Sequence, residues 1–417
     1  MQRSIRLIST IVPYVSAGII ALGSGLLNTV FSLRLKSFGS SFFTIGLSSS
    51  IFYLGLFIGC YKVETFITKV GHIRAYSGFA ATLAVVSLLP GINDNIMLWS
   101  ICRFINGICL AGVYVTIESW LLNASVDSSR GKILAYYMIV NYGIQSLGQL
   151  LLGIGKYNPI LPFCLVNILT IFSIIPLSLA PITAPQIEEP DAMNFKKLYN
   201  ISSIGILGCF ISGILLSAIY GLLPIYIKVI TSRMDYVAQI MFATIFSGML
   251  MQYPIGILSD KMDRKKVLFT MILILIISTG LLVFVDYLGI KNTPLLFTLM
   301  IIIGGVVFAV YPISMSCVCD FLKTSEVISA TQGMVMYYGL GAVVGPLLIS
   351  IIMSLLGVMG FFISFLSINS FFLLFMIFAL KQTKRKKKVE QQFIPVTSAA
   401  TPVTAEFDPR LEEENKS

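Results

Sequence analysis

Charge is scarce in this chain. Only 12% of its 417 residues are Asp, Glu, Lys or Arg, while 56% are hydrophobic and mean hydropathy is +0.90. A soluble fold could not cover that much apolar surface, so a polytopic membrane protein is expected. Histidine is nearly absent, His72 being the only one. Cys317-x-Cys319 lacks zinc-site spacing, and the cysteines at 60, 102, 109, 164 and 209 lie in or beside apolar runs, where they read as packing residues. No metal and no other cofactor is therefore expected. There is no Walker A phosphate loop, which argues against direct use of ATP. No nucleophile, base or metal set clusters in the sequence, so an enzyme is not expected. The apolar runs are continuous rather than alternating, which speaks against a β-barrel. Arg3 and Arg6 precede the first run without a small-residue cleavage site, so a retained first helix is expected.

What is present is a series of membrane-length runs. Twelve are expected, at roughly 7–33, 41–61, 73–92, 96–122, 131–155, 158–181, 200–228, 235–258, 266–287, 293–320, 327–356 and 358–380. Pro13, Pro162, Pro176, Pro224, Pro254, Pro312 and Pro346 fall inside them, where neighbouring helices can satisfy the freed carbonyls. The net charge of +10 would suggest nucleic acid in a soluble protein. Here the cations crowd one side. With the N-terminus inside, the inner segments hold Arg3, Arg6, Lys62, Lys69, Arg74, Arg130, Lys132, Lys196, Lys197, Lys261, Arg264, Lys265, Lys266, Lys323, Lys381 and Lys384 to Lys388. The outer loops hold only Arg34, Lys36, Lys156, Lys228, Arg233 and Lys291. That asymmetry predicts both termini in the cytoplasm and no nucleic-acid partner.

The chain reads as two six-helix halves, 1–181 and 200–381, joined by a solvated linker at 182–199 that carries Pro185, Glu188, Glu189 and Pro190. A polar, proline-containing tail at 382–417 is expected to be disordered, with Lys384 to Lys388 on anionic lipid headgroups. Three pairs support duplication, all at an offset of 197 residues: Val113-Tyr114 with Val310-Tyr311, Gly148-Gln149-Leu150-Leu151 with Gly345-Pro346-Leu347-Leu348, and Gly59 with Gly256. Paired halves are a transporter architecture, with the site at their interface near mid-membrane.

Buried charge marks the candidate site. Arg103 and Glu118 lie in the fourth span on a stripe with Gly107, Ala111 and Tyr114, at helical spacing. They stand about 22 Å apart along the axis, too far to pair. One reading lines a cavity with this stripe, Arg103 holding an anionic group and Glu118 a proton. The other has Arg103 snorkel outward and Glu118 meet Arg130 or Lys132. Asn141, Gln145 and Gln149 share one face of the fifth span, where amides either bond across helices or line water. Gly339-x-Gly341-x-x-x-Gly345-Pro346 in the eleventh span suits close packing and a bend. Asn28, Tyr220 and Tyr311 are further polar candidates in the first, seventh and tenth spans.

The densest charge is the run from Gly256 to Lys266, between two apolar runs. It resembles the signature loop of the major facilitator superfamily, G-x-L-x-D-(R/K)-x-G-R-(R/K). Gly256, Leu258, Asp260, Lys261, Arg264 and Lys265 match, and Asp263 stands where the family has Gly. Asp260 and Arg264 are expected to pair with each other or with neighbouring helix ends, holding one side shut in one state. The first-half counterpart is degraded, keeping Gly71, His72 and Arg74 with no acid in register. Arg103-Phe104-x-x-Gly107 resembles the family's R-x-x-x-G helix-four core, which implies a proton-coupling role for the arginine. The G-x-x-x-G-P pattern of many drug–proton antiporters belongs to helix five. Here it is in helix eleven, with Gln149 at the helix-five position. Lys69 to Ala75, Glu118 to Leu121, Arg130 to Leu134 and the run from Tyr137 to Leu151 resemble the YcaD-like branch.

The resemblance implies two six-helix bundles in a bacterial inner membrane. The resemblance supplies no substrate; the chain is read as an all-α secondary transporter that works by alternating access on a small organic solute, with proton linkage as the drive. A monomer surrounded by membrane lipid is expected. The alternatives are a non-transporting sensor or scaffold with the same fold, or a lipid-translocating carrier.

Overall fold

The computed structural model describes residues 2–124, 130–179, 198–199, 201–290, 292–322 and 324–382. Side chains are described within 11–121, 132–179, 198–199, 201–290, 292–322 and 330–381. The expectations for the linker at 182–197, the tail after 382, the lysines 384–388, and the side chains of Arg3, Arg6, Arg130, Lys291 and Lys323 lie outside the described residues.

Among the described residues the chain is helical and has no strand. The first half comprises α1 (Gln2–Ser37), α2 (Phe42–Val70), α3 (His72–Ile92), α4 (Ile96–Ala124), α5 (Arg130–Leu150) with a 3-10 turn (Leu151–Lys156), and a broken sixth span, α6 (Leu161–Phe172) and α7 (Ile174–Leu179). The second half opens with a broken span, α8 (Ser203–Gly221) and α9 (Leu223–Thr231). It continues through α10 (Met234–Lys261), α11 (Arg264–Tyr287), α12 (Thr293–Cys319), α13 (Thr324–Leu356) and α14 (Gly360–Gln382). Ten described stretches are long and apolar enough to cross a membrane, the last of which, Ala330–Lys381, contains both α13 and α14. Counting these two separately and adding α5, which is too polar to qualify alone, gives twelve spans.

Local chemistry sets the boundaries. Ser41, Ser202, Asp263 and Asn292 each cap a helix by accepting a backbone N–H with the side chain. Two of the prolines expected inside spans open helices instead. Pro162 and Pro224 sit in the first turns of α6 and α9, where a missing N–H costs no bond. The second span runs nine residues beyond the apolar stretch, carrying Lys62, Glu64 and Lys69 on a polar end. It stops at Gly71, whose φ of 87° few other residues tolerate.

The halves repeat one packing plan. In the first, α1 packs on α5 and α2 on α4; in the second, α8 packs on α13 and α10 on α12. The offset pairs occupy matching places. Gly148 on α5 lies against the backbone of Leu22 on α1, and Gly345 on α13 against Ile214 on α8. Gly341 lies on the backbone of Phe210 in the same seam, so a side chain at any of these positions would separate the helices.

Contacts between the halves run through α2 with α13, and through α5 with α10. Those with side-chain detail lie from mid-helix to the side opposite the α10–α11 turn. Ser32 Oγ donates to the Gly221 carbonyl at 2.6 Å, and Leu347 N donates to Ser50 Oγ at 3.1 Å. Lys156 pairs with Asp235 near the same face. Burial follows the same gradient. Residues 45–53 of α2 are buried on nearly every face, whereas beyond Tyr61 only Val63 and Ile67 are. In α10, burial narrows beyond Met249 to Gln252, Gly256 and Ser259.

Candidate functional site

Arg103 sits in the first third of the membrane-spanning part of α4, Ile96–Leu121, and is 3% exposed. Its Nη1 donates to Asn28 Oδ1 on α1 at 3.1 Å. Its guanidinium lies 4.7 Å from the ring centre of Phe31 and 4.2 Å from that of Phe52. Among the described residues no carboxylate reaches it. Two aromatic faces and one amide therefore solvate the charge. The side chain does not snorkel to the surface: it is buried and bonded to Asn28. The rest of the stripe splits. Gly107 packs on the backbone of Phe52 and Ala111 on Gly59, so the middle of α4 is a seam with α2 rather than a cavity wall.

A cluster of aromatic side chains lies next to Arg103, where the halves meet. Phe52 stacks edge-on against Tyr53 at 5.1 Å. Tyr53, Tyr142, Tyr220 and Tyr311 are all within electrostatic reach of Tyr338. All five tyrosines are buried, two from the first half and three from the second. The Tyr311 and Tyr338 ring centres are 4.9 Å apart. Phe308 takes Tyr142 edge-on at 5.2 Å and Tyr220 at 6.1 Å, bridging the halves. Tyr220 donates to Gln145 Oε1 at 2.8 Å. The Tyr311 hydroxyl is buried with no hydrogen-bond partner among the described residues. Of the sequence candidates, Asn28 thus contacts Arg103, Gln145 and Tyr220 bond across the halves, and Tyr311 packs on Tyr338. Tyr53, Tyr142, Phe308 and Tyr338 were not singled out in the sequence. The available signal was faint: a tyrosine near the middle of the second, fifth and eleventh spans.

Glu118 is fully buried near the end of α4, which closes at Ala124. It accepts a hydrogen bond from Tyr137 at 3.1 Å. Asn141 donates to the same hydroxyl at 3.5 Å and lies in reach of Tyr114, whose hydroxyl is 3.5 Å from Ser24 Oγ. Ser24, Asn28 and Asn106 line an enclosed void of about 10 Å³. The Asn106 Oδ1 is unpartnered, and one water would fill that space. A polar thread thus leads from Glu118 through α5, α4 and α1 towards Asn28 and Arg103. Lys132, a partner considered for Glu118, is exposed.

The three α5 amides have separate roles. Gln149 accepts from Thr29 Oγ1 and donates to the Gly25 carbonyl, both at 2.7 Å, tying α5 to α1. Gln145 reaches the other half, and Asn141 belongs to the Glu118 thread.

The charged turn forms a staple within the second half. Arg264 bonds Asp260 at 3.1 Å, Asp320 at 2.9 Å and the Ser316 carbonyl at 3.3 Å. Asp320, at the end of α12, was not singled out. Lys265 lies over the Phe321 ring at 5.4 Å. In the first half, Arg74 is exposed and has no ion pair among the described residues. Gly339 faces Phe57 of the first half, while Gly341 and Gly345 face α8. Pro346 precedes the amide that Ser50 captures across the interface.

Two pseudo-equivalent six-span halves, with an arginine buried inside one span without a carboxylate partner among the described residues, define a membrane carrier. The model of the Major Facilitator Superfamily matches residues 14–337 and 205–410, and the chain belongs to that family. It is 28% identical over 342 residues to the uncharacterized MFS-type transporter YcaD of Escherichia coli O7:K1, covering 81% of this chain and 86% of that one. It is 31% identical over 332 residues to an uncharacterized MFS-type transporter of Yersinia pestis, covering 79% and 85%. The crystal structure of the nucleoside transporter NupG superposes with a TM-score of 0.75 at 14% identity, over 91% of this chain and 100% of that one. At that identity the likeness concerns fold alone.

Proposed function

We propose that this chain is a proton-linked secondary transporter that moves a small organic solute by alternating access across a bacterial inner membrane. One observation carries the reading: Arg103 is buried inside the membrane-spanning part of α4, next to the aromatic junction of the halves, and no carboxylate reaches it among the described residues. A cation held there is costly unless something compensates it, so it is kept for a task. An anionic or hydrogen-bonding solute would supply the missing partner. Glu118, buried behind Tyr137, is the group that would take and release the proton. With the cation-rich α10–α11 turn in the cytoplasm, the contacts between halves close the outer side, which corresponds to the inward-facing state.

The test is solute uptake into proteoliposomes under an imposed pH gradient. Arg103→Ala is expected to lower uptake at least tenfold with normal folding and insertion. Glu118→Gln is expected to remove the dependence on the gradient. Full, equally pH-dependent uptake by Glu118→Gln would overturn the proton role, and undiminished uptake by Arg103→Ala would overturn the site.

A further inference from the structure

The centre of the molecule has a definite chemical character. Among the described residues its one formal charge is positive, on Arg103. The buried carboxylate of the first half, Glu118, lies 15 positions further along α4 and is engaged by Tyr137. In the second half Asp320 is bound to Arg264 at the turn. An organic cation would therefore meet Arg103 with no carboxylate to offset it. The polar group in contact with Arg103 is the Asn28 amide oxygen, and at the adjoining junction of the halves the Gln145 Oε1 already accepts from Tyr220 while the Tyr311 hydroxyl has no hydrogen-bond partner among the described residues. One guanidinium beside one amide suits a single carboxylate.

The walls supply the second half of the recognition. Tyr53, Tyr142, Tyr220, Tyr311 and Tyr338 gather with Phe308 at the junction, contributed by five helices from both halves. Their rings meet edge-on or tilted, the same contacts that a planar aromatic solute would make with them. Tyr53 joins the two parts, lying against Phe52 on the Arg103 side and near Tyr338 on the other.

We infer that the transported solute is a planar aromatic carboxylate, its ring among the five tyrosines and its carboxylate at Arg103. This rests on the carrier reading above and narrows it to a substrate class. A ring held by tyrosines from both halves also gives the solute a way to draw the halves together, which alternating access needs.

The experiment compares matched probes on the purified full-length protein by equilibrium dialysis: 2-naphthoate, its saturated counterpart decahydro-2-naphthoate, and the neutral 2-naphthalenemethanol. Binding of 2-naphthoate at least tenfold tighter than either control is expected. Tyr338→Leu and Tyr53→Leu should lower that preference for the aromatic ring, while Arg103→Gln should abolish the preference for the acid over the alcohol. Equal binding of the saturated acid, equal binding of the alcohol, or no binding of 2-naphthoate overturns the inference, and these results need no variant to fold. Proteoliposome exchange with a broad solute library separates the two levels. Transport of aliphatic or cationic solutes but not aromatic acids defeats the substrate class and leaves the carrier standing. No exchange of any solute defeats both.

Discussion

The two halves share a frame but differ where their third spans begin. In the second half that start is Asp263-Arg264: Asp263 caps α11 at an ordinary φ of −61°, and Arg264 turns inward onto two carboxylates. In the first half it is Gly71-His72: Gly71 takes φ 87° and ψ 153°, and His72 turns inward with its Nε2 unpartnered among the described residues. Duplication has preserved the position and the burial but not the charge. The second half holds its ion network at the membrane edge, as a staple of three helix ends. The first half holds its charges inside, as Arg103 and Glu118 on one helix. The chemistry for moving a solute therefore lies mainly in one half, and the rigid clamp in the other.

The largest effect should come from breaking the clamp. Arg264→Gln removes the Arg264 charge from the buried Asp320, and removing one partner of a buried pair costs about 3–5 kcal/mol. Arg74→Gln, near the corresponding first-half turn, changes an exposed side chain with no ion partner among the described residues and should stay within about 0.5 kcal/mol. Thermal unfolding of the two variants in the same detergent measures the contrast. Equal midpoints would mean that the network does not stabilise the second half. Because the ion pairs seen here lie within one half, Arg264→Gln should act on stability before it acts on the balance between inward and outward states.

Much of this frame was legible in the sequence. Continuous apolar runs fixed the spans to within a few residues for most helices, because a membrane imposes length and backbone satisfaction on any segment that crosses it. The offset of 197 residues located matching seams, since glycine is what lets two backbones touch. Arg103 and Glu118 stood out because charge inside a span is expensive. The five-tyrosine cluster did not, because tyrosine is common in membrane helices and only tertiary packing brings α2, α5, α8, α12 and α13 to one point. Asp320 was missed for a related reason: at a helix end it looks solvated until Arg264 is seen to turn inward. The stripe on α4 misled in its middle. Helical spacing places Gly107 and Ala111 on one face with Arg103, but which neighbour covers that face is a property of α2.

A middle-sized effect is expected at Gln149, which pairs by the offset with Pro346 in the second half. The two solve one problem differently. Gln149 ties α5 to α1 by side-chain hydrogen bonds, whereas the bend at Pro346 lets the next amide bond to Ser50 across the interface. Gln149→Leu leaves the Thr29 hydroxyl and the Gly25 carbonyl without this partner, at a cost of about 1–3 kcal/mol. The same unfolding assay reads it. Ser50→Ala removes the partner of the Leu347 amide and should instead loosen the outer seal, seen as faster cysteine labelling at a site placed on that face. If Gln149→Leu opened that face equally, the division between holding a half together and holding two halves together would be wrong.

The smallest contrast returns to the two turns. At Gly71 an added Cβ would meet nothing within 4 Å, so crowding is not the obstacle to a side chain there. The obstacle is the backbone: at φ 87° and ψ 153° any L-residue is strained by about 1–3 kcal/mol. Gly71→Ala should destabilise by that amount or shift the start of α3. At the matching position, Asp263→Gly exchanges a capping side chain for a residue that itself caps tolerably, for only a few tenths of a kcal/mol, about 0.3. The substitution that restores the family's glycine should thus be nearly silent, while the one that removes the glycine already present should not. Similar midpoints for both variants would show that the Gly71 conformation relaxes without penalty, and the two turns would then differ in charge alone.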